Sequence, residues 1–371
     1  MKIYVKLTIC VIITILSLTM LACSTNKTVE YTELGTPSSE RYSQGARARC
    51  PWDMYIWNEK IYVGSGDYDV NAGPIDIWAY DIENQLWEYT GTVADEEISR
   101  FYVINGKLTA PGIDPQDDWS YGNYYVLDGE EWTTIRTIPG GLHNFDMVEY
   151  QGMIFAGLGV ASGEYPIVCS NDGGKTFVSV EMRKNGKALD TSGSDVVRVS
   201  DLFVFNDNLY AAFRYGLTNI TYDLYRYDNG VFVYDNQLYQ NIYQIKFFNN
   251  IIASKTEYKG KMFFTTGYLY TTDNMSDFER ISFPNSETVY DIYEEGDILY
   301  VLCGVKQADD KYKVSVWKNS SGKAVSFTEL LNFTYDIPPM SMVCDGNSFY
   351  IGMGDYNSNN DKNGMILLVN C

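Results

Sequence analysis

The 371-residue sequence predicts an all-β fold, a seven-bladed β-propeller of four-stranded blades with six or eight blades as the alternatives. Three observations point there: paired apolar runs recur from Trp52 to the end, polar turn pairs punctuate them, and helical periodicity is almost absent. The first half of each unit is an apolar run, a tight polar turn and a second apolar run. The clearest copies are Met54–Gly64, Phe101–Thr109, Met147–Gly157 and Leu202–Tyr210, and weaker ones turn at Asn249-Asn250, Glu295-Gly296-Asp297 and Asp345-Gly346-Asn347. Asn-Gly and related pairs supply the positive φ of tight hairpins, so each copy reads as two antiparallel strands. A second hairpin completes the unit, as in Ile77–Trp87, Tyr124–Trp132, Leu224–Phe232 and Tyr268–Phe278. First strands begin near residues 53, 100, 146, 201, 244, 291 and 341, at separations of 47, 46, 55, 43, 47 and 50 residues. Two unrelated β-sandwiches would make that even spacing a coincidence. The last unit runs out after three strands, and residues near Val29 to Leu34 are expected to pair with its open edge and close the ring.

Composition removes several functional classes. With 48 acidic against 28 basic side chains the formal charge is −20, which does not wrap phosphate backbones, so nucleic-acid binding is not expected. Hydrophobic residues at 45% and aromatics at 15% exclude a disordered polyelectrolyte. His143 is the only histidine, which excludes a metal site needing two imidazoles.

Residues 1–22 carry Lys2 and Lys6, an apolar run from Leu7 to Leu21, and then Ala22 before Cys23. This is the three-part plan of an export signal, and the run is short for a membrane span. Met20-Leu21-Ala22-Cys23 resembles the bacterial lipobox; an uncleaved signal anchor is the other reading. The resemblance implies lipidation at Cys23 and a membrane-anchored protein of the cell envelope, facing outside the cytoplasm. Residues 23–46 then form a flexible tether, rich in Ser, Thr, Asn and Gly, and residues 47–371 the propeller domain. Loss of Lys2 and Lys6 takes the charge from −20 to −22. Of the remaining cysteines, Cys50, Cys169, Cys303, Cys344 and Cys371, the middle three lie in apolar runs and read as buried free thiols.

Ser170-Asn-Asp-Gly-Gly-Lys-Thr-Phe177 is similar to the Asp-box of sialidase-like, BNR-repeat propellers, and Thr271-Thr-Asp273 to Phe278 looks like a degraded second copy. The resemblance implies a structural turn between third and fourth strands, held by Ser170, Asp172, Gly174 and Phe177 on the face opposite the ligand. Sialidases also need an arginine triad, for which Arg100, Arg198 and Arg214 approach the channel. The Phe-Arg-Ile-Pro-like segment of that family is missing, so the resemblance covers the repeat architecture rather than a chemistry.

In a propeller the starts of the innermost strands and the loops between second and third strands share one face. Those starts are Asp53, Arg100, Asp146, Asp201, Gln244, Asp291 and Ser341. Four aspartates so placed either recruit a cation, Ca²⁺ or Mg²⁺, or cap backbone amides at the strand starts. Tyr62–Asp69 in the first unit matches Tyr350–Asn357 in the last. Ring closure is expected to gather Asp67, Tyr68, Asp69, Asp355, Tyr356 and Asn357 beside Trp52, where rings cover sugar C–H faces and polar groups take hydroxyls. The expected function is a lipid-anchored, monomeric surface binder of an extracellular carbohydrate or similar polyhydroxylated ligand, with Ca²⁺ as the one cofactor considered. Its net charge favours neutral or cationic sugars. The alternative is a glycan-active enzyme, a sialidase-like hydrolase or a lyase, on the same face, with His143 as the candidate acid/base. Cys23→Ser is expected to release the protein from the membrane fraction and abolish labelling by a fatty-acid analogue.

Overall fold

Turn chemistry divides the chain into strands. Asn105-Gly106, Gln151-Gly152, Asn206-Asp207, Asn229-Gly230 and Lys259-Gly260 all take positive φ and reverse the chain in two residues. The computed structural model describes residues 29–37, 46–161, 163–193, 197–215, 221–234, 254–319 and 325–371, and they form an all-β propeller. The expected export segment, Cys23, most of the expected tether, Gln244 and the turn at Asn249-Asn250 lie outside the described residues.

Five four-stranded blades are present, not seven, six or eight. The first runs through Asp53–Trp57, Lys60–Gly64, Ile75–Asp81 and Leu86–Val93. The second comprises Tyr102–Ile104, Lys107–Pro111, Tyr121–Asp128 and Glu131–Pro139. Lys255–Tyr258, Lys261–Thr265, Leu269–Thr272 and Glu279–Ile281 make the third, and Thr288–Glu295, Ile298–Lys306, Tyr312–Asn319 and Phe327–Tyr335 the fourth. The fifth, closing blade is Pro339–Asp345, Ser348–Met353 and Met365–Asn370, with Tyr31–Gly35 as its outer strand.

The correction to seven blades has a local cause. The hairpin pairs that start at His143 and Val197 do not stand as separate sheets but join in one twelve-stranded sheet. Gly159 and Val160, at the end of Met153–Val160, pair with Arg198 and Val197 at the start of Val197–Phe205. On the other side Ile113–Pro115 bridges His143 to Asp95–Glu97. The even spacing of turns carried no information about this pairing between units.

The hairpin of the fifth expected unit is also displaced: its described turn is Lys259-Gly260, so Lys255 stands near the inner strand start. Closure, by contrast, follows the open edge of the last unit. Tyr31 registers with Val369 and Thr32 with Leu368, Trp87 Nε1 donates to the Leu34 carbonyl at 2.8 Å, and Tyr335 Oη donates to Glu33 Oε1 at 2.9 Å. The strand lies inside the segment expected to be tether, because an unpaired edge outcompetes solvent for its amides. Core side chains pack between neighbouring blades: Met54, Ile61 and Tyr80 of the first interlock with Val343, Tyr350 and Ile366 of the closing blade.

Deleting residues 29–36 removes a strand's ladder, so thermal unfolding should move down markedly, with a loss on the order of a few kcal/mol at about 0.5–1.5 kcal/mol per hydrogen bond. Calorimetry of the truncated chain checks this.

Candidate functional site at the channel mouth

The polar residues at the inner strand starts reach sideways rather than inward. Asp53 Oδ2 accepts the Phe101 amide at 2.8 Å, Asp146 Oδ2 the Leu202 amide at 2.7 Å, and Asp291 Oδ2 the Met342 amide at 2.7 Å. In each case donor and acceptor belong to successive inner strands. Ser254 Oγ donates to the Ile292 carbonyl and Ser341 Oγ to the Pro51 carbonyl, which continues the same belt. A register shift precedes Asp146, Asp201, Asp291 and Ser341, between residues 144 and 146, 199 and 201, 289 and 291, and 339 and 341. Such bulges re-aim the following side chain toward the neighbouring strand.

Two positions use charge instead. Arg100 Nη1 lies 3.0 Å from Asp146 Oδ2 and 2.9 Å from Asp201 Oδ1, and Lys255 Nζ lies 3.2 Å from Asp201 Oδ1 and also contacts Asp146. Against the cost of burial, Arg100 and Lys255 hold the Asp201 carboxyl below its ordinary range. Burial pushes Asp53 up to about 6 against the Phe101 amide and the Arg100 charge, and pushes Asp291 up to about 7, Asp53 adding to the rise there. The aspartates are therefore engaged by amides and by two partly buried cations, with Asp146 Oδ1 left without a hydrogen-bond partner. No group of three or more His, Cys, Asp or Glu side chains suited to a metal occurs among the described residues, so the donors give Ca²⁺ no support.

A second assembly forms where the sheets fuse. Ile113, His143, Gly159, Arg198 and Arg214 are successive register partners across adjacent strands. Gly159 is required in that row: a Cβ there would stand 2.6 Å from His143 Cδ2 and 3.1 Å from the Phe145 ring. His143 Nδ1 lies 2.9 Å from Asp114 Oδ1. Its ring stacks on Phe145 at 5.2 Å and meets the Tyr68 ring edge-on at 5.6 Å, while the Arg198 guanidinium covers Phe145 at 5.3 Å. The Arg198 charge opposes the upward push of burial on the Tyr68 phenol. Behind Tyr68, burial foremost and then Asp67 and Asp69 push the Glu97 carboxyl up to about 8.

The expected junction of first and closing blades forms in part. Trp52 and Tyr356 approach to 6.0 Å, and Trp52 Nε1 donates to the Gly66 carbonyl at 2.8 Å. Arg47 covers the Tyr356 ring and pairs with Asp67 at 3.2 Å and Asp69 at 3.3 Å. Asp355 caps its own loop through the Asn357 amide and the Ser358 hydroxyl. Tyr68 turns away from this group toward His143. Lys255 and Asp114 are the site residues that sequence reasoning missed; Asp114, within the strand that bridges to His143, was signalled only by a pairing between units.

On the opposite face the Ser170–Phe177 turn folds on Asp172. Its Oδ1 accepts the Lys175 and Thr176 amides, both at 3.0 Å, and its Oδ2 the Thr176 hydroxyl at 2.7 Å. These bonds hold the carboxyl well below its ordinary range. Gly174 takes φ +88°, and a Cβ there would stand 2.0 Å from Tyr124 Oη; Phe177 is buried against Tyr124. In the weaker copy the parts move by one residue. Asn274 Oδ1 accepts the Ser276 and Asp277 amides, and Thr272 Oγ1 the Met275 amide, so Thr272 and Asn274, not Thr271 and Asp273, build that turn.

No protein-family model and no curated protein matches the chain. Solved structures do. Virginiamycin B lyase from Staphylococcus aureus is similar at 10% identity, covering 92% of this chain and 99% of its own, with a TM-score of 0.55. A chain of the mitotic checkpoint complex aligns at 11% identity over 94% of this chain and 96% of its own, with a TM-score of 0.52. A 6-phosphogluconolactonase, so described provisionally, from Bacteroides fragilis aligns at 11% identity over 83% and 93%, with a TM-score of 0.50. Their stated functions differ, so the likeness supports the β-propeller fold alone.

Two outcomes follow from these contacts. Asp172→Ala should lower the melting temperature while the folded fraction keeps any ligand affinity. Asp53 and Asp291 bind protons in the folded chain that the unfolded chain has released, so their contribution is full below about pH 4 and is lost as pH rises through about 6 to 7. Denaturant titrations should show that the Asp53→Asn, Asp291→Asn double variant loses less stability across that window than wild type.

Proposed function

We propose that this chain is an exported, Cys23-lipidated β-propeller that binds an extracellular carbohydrate or similar polyhydroxylated ligand at the channel-mouth face. The observation that carries the reading is the distribution of exposed rings. Among the described residues the exposed aromatics are Tyr31, Tyr89, Trp119, Tyr121, Tyr268 and Tyr356. Trp119, Tyr121, Tyr268 and Tyr356 lie in, or at the edge of, loops between second and third strands, which open on the mouth face. Tyr31 and Tyr89 lie on outer strands, and the opposite face presents none. Rings around a mouth that also offers Arg, His and Asp side chains suit alternating C–H faces and hydroxyls.

With the aspartates engaged in the inter-blade belt, recognition falls to the rings and to Tyr68, His143 and Arg198. The closing experiment is a glycan array followed by calorimetry. Tyr356→Ala combined with Trp119→Ala should weaken binding of the captured glycan about tenfold or more, at about 0.5–1.5 kcal/mol per ring contact. The folded Asp53→Asn, Asp291→Asn variant should bind as wild type. Unchanged affinity in the aromatic double variant would place the site elsewhere.

A further inference from the structure

We propose that Tyr68, His143 and Asp114, with Arg198 and Arg214 beside them, form a catalytic site that cleaves 4-linked uronic-acid glycans by β-elimination, an inference that rests on the sugar-binding reading above. The geometry of the imidazole comes first. Asp114 Oδ1 stands 2.9 Å from Nδ1, outside hydrogen-bond geometry, and a carboxylate oxygen at that distance favours the proton on Nδ1 and leaves the Nε2 lone pair as the base. The His143 side chain keeps 11% of its surface open, and its position between Tyr68 and Phe145 limits rotation.

The arginines supply the second requirement. Arg198 and Arg214 are direct cross-strand partners, so their side chains share one face of the sheet, where like charges repel. Neither pairs with a carboxylate among the described residues, and the buried Arg214 Nε has no hydrogen-bond partner. A ligand carboxylate relieves both conditions through charge-assisted, forked hydrogen bonds. Binding that carboxylate also drains charge from the adjacent carbon and makes its C–H acidic, which is what elimination needs.

The step closes without a co-reactant. His143 Nε2 takes the proton from C5 of the uronate, the C5–H electron pair forms the C4–C5 double bond, and the C4–O bond breaks. Its electron pair leaves on the glycosidic oxygen, which takes a proton from Tyr68 Oη, a group under the influence of the Arg198 charge. The proton on His143 returns through solvent to the phenolate. Hydrolysis is less well served, because Asp67 and Asp69 are paired with Arg47 and Asp114 stands against the imidazole.

The test offers the full-length protein polygalacturonate, alginate and hyaluronan, and follows the ultraviolet absorbance of the unsaturated uronate product alongside binding by calorimetry. Product is expected from at least one polymer. His143→Gln and Tyr68→Phe should each lower kcat by roughly 10²–10⁴-fold with little change in KM. Asp114→Asn should also lower kcat, with partial rescue by Asp114→Glu, as a positioning role requires. Tyr68→Phe keeps the ring, and unchanged melting temperatures show that each variant is folded. Binding of uronates or other glycans without unsaturated product overturns the elimination and leaves the sugar-binding reading standing. Product formation that survives in folded His143→Gln and Tyr68→Phe overturns the residue assignment, and absence of both glycan binding and product overturns both readings.

Discussion

The structure depends on a belt of side chains that tie each inner strand to the next. A β-propeller has no hydrogen-bonded ladder around its ring; neighbouring blades meet through side-chain packing. Apolar contacts such as Met54 and Tyr80 against Val343 and Ile366 supply attraction but little register. The directional element comes from Asp53 on the Phe101 amide, Asp146 on the Leu202 amide and Asp291 on the Met342 amide. A hydrogen bond to a charged group contributes roughly 1.5–3 kcal/mol, and leaving those amides unmatched at the narrow centre would cost a similar amount. At Asp146 and Asp291 a bulge re-aims the carboxylate toward the neighbouring strand, whereas Asp53 reaches the Phe101 amide from an unshifted register.

That belt decides what the mouth can do. Four aspartates around a channel invite a divalent cation only while their oxygens are uncommitted, and here each aspartate is engaged by an amide or by Arg100 and Lys255, although Asp146 Oδ1 has no partner. Further polar side chains gather in the sector where the belt is supplemented by strand pairing. Gly159 and Val160 meeting Arg198 and Val197 draw four strands into line and set His143, Arg198 and Arg214 in one row. The departure from seven separate blades and the concentration of polar side chains at that point are one event.

Legibility followed locality. Hairpins, strand direction and the shared face of the loops depend on neighbours a few residues apart, so Asn105-Gly106 or Gln151-Gly152 announce them in the sequence. The closing strand at Tyr31–Gly35 was readable because the last unit has one strand too few. The aspartates were readable as positions but not as roles: amide cap and cation ligand need the same residue, and only the partner 51 residues away at Met342, or 48 away at Phe101, separates them. Lys255 was missed because its hairpin turns at Lys259-Gly260, a weaker signal than the Asn-Asn pair nearby. The row at Gly159 had no local signature at all, because pairing between units leaves no periodicity in either partner.

The same distinction between near and far applies to charge. A chain at −20 suggests a ligand that is neutral or cationic, and for encounter at long range that holds. At about 0.1 M salt, however, the Debye length is about 10 Å, so surface carboxylates beyond that distance are largely screened at the site. What a bound group meets is its immediate surroundings, and at the fused sheet these are Arg198 over Phe145 and Arg214 opposite it. Screening weakens partly buried groups far less than exposed ones. Net charge would therefore govern how fast an acidic ligand arrives, while the row on the sheet would govern whether it stays, so that anions would be selected at contact rather than attracted from a distance.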